Sequence, residues 1–115
     1  MQLSTSQLGP VQVIQVQGRL DHAHAADFEA SLLPQLAQCT ASGHPVVLDF
    51  SGVVYISSVG LRVLMLAAKQ VKAQQGRIAI AALTPIVAEI FQVSHFDMVL
   101  RVYPDVASAL AAVQQ

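Results

Sequence analysis

Apolar positions along this chain change period several times, and each change marks an element. Val11, Val13, Ile14 and Val16 form a short β-type run that ends at Gly18. The preceding Gln2 to Leu8 can pair with it as an edge strand across a turn at Gly9-Pro10. From Asp21 to Gln38 the pattern becomes helical, because Phe28, Leu32 and Leu36 recur at i, i+4 and i+8 on one face. Ser42-Gly43-His44-Pro45 is a turn. Val46-Val47-Leu48 then runs uninterrupted to Asp49, as suits a central strand buried on both faces.

A loop over Phe50 to Ser57 leads into a second helix from Ser58 to Gln75, closed by Gly76. Arg77 to Ala82 reads as the next strand. Thr84-Pro85 has the N-cap and first-turn chemistry that opens a helix, here running to Val93. Val99 to Tyr103 is a last strand, and Pro104-Asp105 opens a final helix with Val106, Ala109, Leu110 and Val113 on one face. Strands alternating with helices predict one α/β domain over residues 1–115. Its central sheet is mainly parallel, with an N-terminal edge strand and about four packed helices.

Composition removes several function classes. The chain is 54% hydrophobic and 11% charged, with a net charge of −1, so no basic field draws in nucleic acid or anionic lipid. Without tryptophan and with few other aromatics, a base-stacking platform is not expected. Cys39 is the only cysteine, which fits a reducing cytoplasm. The first residues carry neither a basic start nor an apolar run, and the apolar run Val63 to Ala68 is far too short to cross a bilayer. A cytoplasmic protein without membrane insertion is the expectation.

Metal and nucleophile chemistry find little support. His22 and His24 form an H-x-H pair with no cysteine or carboxylate cluster at a structural zinc spacing, and they read as a solvated helix start. Cys39 follows a helix and reads as packed, since no neighbouring His or Lys lowers its pKa. No phosphate-binding glycine loop, nucleophile elbow or zinc-protease motif is present. The reading is a non-enzyme with no cofactor and no metal.

Two stretches stand out: Gly18-Arg19-Leu20-Asp21-His22, and the longer run from Val47 through Asp49-Phe50-Ser51-Gly52 and Ile56-Ser57-Ser58-Val59-Gly60 to Leu61. Ser58 falls where a loop becomes a helix. Helix starts offer free N–H groups and the positive dipole end, which tolerate an added phosphate. The plainer role for Ser57 and Ser58 is N-capping, worth about 1 kcal/mol, and the two roles can coexist. Gly60 reads as clearance between helix and sheet, and Asp21 as an N-cap of the first helix. On a wheel at about 100° per residue, Gly60, Leu64, Ala67 and Val71 turn toward the sheet and Arg62 and Lys69 turn away. Val59, Met65 and Leu66 flank Arg62 on that outer side, which suits a partner-binding patch.

These two stretches resemble the STAS family, named for sulfate transporters and anti-sigma-factor antagonists. Members show a G-x-L-D turn after the second strand, then a strand ending D-[LF]-S, a V-x-x-[IM] loop, and a serine or threonine just before G-L and a helix. The strand and helix order matches as well. The resemblance places the phosphorylated serine on Ser58, with Ser57 as the alternative, and the turn aspartate on Asp21 beside it. Many sporulation-type members have aspartate before the phosphoserine; here that position is Ser57. The implied role is an anti-sigma-factor antagonist that, unphosphorylated, binds a serine-kinase anti-sigma factor and is reset by a metal-dependent serine/threonine phosphatase. Asp21, Ser57, Ser58, Val59, Arg62, Met65, Leu66 and Lys69 would border that partner. The family's alternative role is a small cytoplasmic subunit of a lipid-transport ABC complex.

Overall fold

The computed structural model describes residues 2–114. Five strands form one sheet: β1 (Gln2–Leu8), β2 (Val11–Leu20), β3 (Val46–Ile56), β4 (Ile78–Ala81) and β5 (Arg101–Tyr103). Four helices are interleaved: α1 (Ala25–Leu32), α2 (Ser58–Ala73), α3 (Pro85–Val93) and α4 (Val106–Val113). The spatial order is β1-β2-β3-β4-β5; β1 pairs antiparallel with β2, and every other pairing is parallel. The α/β class, the parallel sheet, the N-terminal edge strand and the four helices all match the expectation.

Sequential strand order has a consequence. Right-handed crossovers that always step the same way put every crossover helix on one face of the sheet. The larger core accordingly joins Phe28 and Leu32 of α1, Leu64 and Ala67 of α2, and Phe91 of α3 to Ile14, Leu48 and Ile80 of the strands. A smaller core on the other face packs Ala109 and Val113 of α4 against Val11, Val13, Val47 and Ala79. Residues Val46 to Phe50 of β3 are all buried, and the uninterrupted apolar run Val46-Val47-Leu48 lies between the two cores.

Several boundaries differ from the sequence expectation. The first helix does not span Asp21 to Gln38: it covers α1 alone, followed by a 3-10 turn at Leu33–Leu36 that holds Pro34. Proline's missing N–H and its ring prevent an α-helix from continuing there. Residues 50–56 are strand, not loop. The Asp-Phe-Ser-Gly sequence looks like a turn because it does make one locally: the Asp49 carboxylate accepts a hydrogen bond from the Ser51 N–H at 3.0 Å. Pairing with β2 absorbs that turn as a β-bulge, with register shifts between Gln15 and Gln17 and between Gly18 and Arg19. β2 likewise continues past Gly18, at φ 106, to Leu20. The last strand starts at Arg101, after a 3-10 turn at Phe96–Met98.

The end of α2 is also built differently. The helix stops at Ala73, and the left-handed residue is Gln75, at φ 61, not Gly76. Gly76 N–H bonds the Val71 carbonyl and Gln75 N–H bonds the Lys72 carbonyl, which together make a Schellman closure. Glycine is needed at 76 for space: a Cβ there would lie 2.2 Å from the Cys39 carbonyl oxygen. Cys39 is buried as expected, its thiol donates to the Arg77 carbonyl at 3.2 Å, and desolvation pushes its pKa up.

Leu64 is fully buried between α2 and the sheet. Leu64→Ala is expected to lower unfolding free energy by about 2–5 kcal/mol in urea denaturation. A loss below 1 kcal/mol would show that α2 does not anchor this core.

Candidate functional site

The two sequence stretches meet at the C-terminal ends of β2 and β3, where α2 begins. Leu20 pairs with Ile56 and Arg19 with Tyr55. The Leu20 carbonyl then accepts two hydrogen bonds from Ser57, from its N–H at 2.9 Å and its hydroxyl at 3.2 Å. The Ser57 Oγ accepts in turn from Gly60 N–H at 3.2 Å, so Ser57 is the N-cap of α2. Capping therefore falls to Ser57 alone. Ser58 is the first helical residue and is exposed.

Gly60 is buried against this junction. A Cβ there would sit 2.6 Å from the Leu20 carbonyl oxygen and 2.8 Å from Ile56 Cγ1, so the helix can approach β2 this closely only with glycine. The clearance role read from sequence holds, and the contact is with backbone that cannot move aside.

Asp21 sits just beyond β2. It is not the N-cap of α1; His24 holds that position without a side-chain cap bond. The Asp21 carboxylate instead bonds His24 Nδ1 at 2.6 Å and accepts from Arg19 Nε at 3.3 Å. The His24 hydrogen bond, followed by the one from Arg19, holds its pKa below the ordinary carboxylate value against a desolvation that raises it. The Arg19 guanidinium also lies over the Tyr55 ring, 4.8 Å from the centroid. Sequence reasoning missed Arg19, His24 and Tyr55 as members of this cluster. The one available signal was the alternation of buried Leu20 and Ile56 with their outward neighbours Arg19 and Tyr55.

The outer face of α2 continues from Ser58. Gly60, Leu64, Ala67 and Val71 are buried on the sheet side, joined by Val63, while Arg62 and Lys69 are exposed. Val59, Met65 and Leu66 are half-buried, and Val59 and Met65 also touch the larger core. Among the described residues no group of His, Cys, Asp or Glu is placed to hold a metal ion, and no helix is long and apolar enough to cross a membrane.

Comparison with known proteins agrees with this geometry. Residues 2–109 match the STAS domain. The chain belongs to the STAS family. BtrV of Bordetella bronchiseptica, which bears the name of an anti-sigma factor antagonist, is 37% identical over 112 residues, 97% of this chain and 91% of that protein. An anti-sigma-factor antagonist (STAS) domain protein from Planctomyces limnophilus superposes with TM-score 0.83 at 25% identity, over 96% of each chain. An anti-sigma factor antagonist from Mycobacterium paratuberculosis shares the fold with TM-score 0.86 at 24% identity, over 99% of this chain and 94% of that one.

Two measurements probe the site. The adjacent serines should separate in stability: Ser57→Ala loses about 1 kcal/mol with the cap, whereas Ser58→Ala stays within about 0.5 kcal/mol. Equal losses in chemical denaturation would contradict the assignment of the cap. Asp21 should show in acid. A carboxylate held below its unfolded pKa stabilises the fold above that unfolded value and ceases to do so as pH falls through the folded one. Any advantage of wild type over Asp21→Asn is therefore full at about pH 6 and fades below about pH 4. A difference in melting temperature that stays constant over that range would count against the Asp21 network.

Proposed function

We propose that this STAS protein is an anti-sigma-factor antagonist switched by phosphorylation at Ser58. Unphosphorylated, it binds a serine-kinase anti-sigma factor and so releases a sigma factor. The kinase ends that binding by modifying Ser58, and a metal-dependent serine/threonine phosphatase restores it. The chain is then a phosphoacceptor and not an enzyme, acting in the cytoplasm.

The observation that carries this reading is the division of labour between the serines. The Ser57 hydroxyl is committed to the Leu20 carbonyl and the Gly60 N–H. Ser58 stands exposed one residue later, on the first turn of a 16-residue helix. Phosphate at Ser58 adds roughly −1.5 to −2 charges at the positive end of the helix dipole, where the fold tolerates them. A partner seated on the helix meets that charge in its interface, where an unpaired anion is costly to desolvate. Phosphate on Ser57 would instead have to break the cap.

The docking surface that fits this switch is the outer face of α2, with Val59, Arg62, Met65, Leu66 and Lys69 around Ser58 and with Ser57 and Asp21 at its edge. Arginine and a shape-adapting methionine suit such a surface.

Incubation with the cognate kinase and ATP should label wild type and leave Ser58→Ala unlabelled. Ser58→Asp should fold with unchanged or slightly raised stability, by about 0.3–1 kcal/mol, and should bind the kinase more weakly in calorimetry. Label found mainly on Ser57, or full affinity in Ser58→Asp, would contradict the proposal.

A further inference from the structure

The molecule also has a cavity away from the serine pair. A cleft of about 740 Å³ opens beside the later turns of α2, bounded by the starts of β4 and β5 and the last turn of α4. Its size is that of a small-molecule site, roughly 300–1,000 Å³. Four of the chain's six Lys and Arg residues line it: Lys69, Lys72, Arg77 and Arg101. No Asp or Glu is among the lining residues.

Part of this charge has a structural reason. Lys72 is in the last turn of α2 and complements the negative end of that helix. Arg101 lies on a strand, outside the last turn of any helix. Among the described residues, Lys69, Lys72 and Arg101 form no ion pair. Lys69, Lys72 and Arg101, gathered around one cavity, repel one another unless an anion joins them. The remaining walls are largely aliphatic and thioether, including Met65, Leu100 and Met98, which is 85% exposed. Tyr103 is the one aromatic side chain in the lining, too little for stacking a base from both sides.

We propose that this cleft binds a small amphiphilic anion, with a carboxylate or phosphate head among the basic side chains and an acyl chain against Met65, Met98 and Leu100. The assignment does not rest on the Ser58 switch. Both Met65 and Lys69 also belong to the outer face of α2, so an occupant of the cleft would border any partner docked there.

The test is calorimetric titration of the full chain with laurate below its micelle concentration. Octyl glucoside serves as an uncharged amphiphile, ATP as an anion without an acyl chain, and phosphatidylglycerol vesicles as a membrane surface. The charge-reversed variant is Lys72→Glu/Arg101→Glu; both side chains are exposed, and its fold is checked by circular dichroism. The expected result is one saturable laurate site, weakened about ten-fold or more in the variant, or at least about 1.4 kcal/mol, with little binding of octyl glucoside. Equal laurate affinity in the variant overturns the proposal. So does absence of laurate binding, whether ATP or the vesicles bind or not.

Discussion

The structure depends on one backbone oxygen. The Leu20 carbonyl ends β2, receives both hydrogen bonds from Ser57, and occupies the space that a side chain at position 60 would need. Three elements are fixed at that point: the end of β2, the end of β3 and the start of α2. A buried carbonyl has to be satisfied, and here its donors also cap the helix. The entry angle of α2 follows, and with it which serine is spent on structure and which faces outward.

That junction is reached only because β3 is longer than its sequence suggests. Two irregularities in the β2–β3 pairing let Asp49-Phe50-Ser51-Gly52 make a local turn without leaving the sheet. Gly52 belongs to the same device, since a Cβ there would press to 2.8 Å of the Gln17 side chain. The bulges bend the strand and bring Tyr55 alongside Arg19, whose guanidinium reaches Asp21, which in turn holds His24. A polar cluster thus forms at the sheet's C-terminal edge, where parallel α/β folds characteristically place their sites.

Both ends of α2 reach the surface of the domain. Its first turn lies at the strand ends with the serine pair, and its later turns border the basic cleft at the starts of β4 and β5. Between them its inner face is closed by Val63, Leu64, Ala67 and Val71. A chain with only 11% charged residues leaves few charges to distribute, and most of its cations sit at the cleft end of this helix or facing it.

The sequence by itself determined the α/β class, the order of elements, the buried face of α2 and the two motif stretches. The first three are a matter of period, since a helix or strand that buries one face must write that face into its apolar spacing; the motif stretches stand out by residue identity. Proline at 85 and aspartate at 105 marked helix starts for equally local reasons. The tertiary structure decided where local signals compete. It continued β3 through a turn-like sequence because β2 supplied partners, and it gave the left-handed position after α2 to Gln75 because Gly76 was needed against Cys39. The same holds for the serines: Ser57 and Ser58 are identical neighbours in the chain, and only the Leu20 carbonyl, 37 residues earlier, sets them apart.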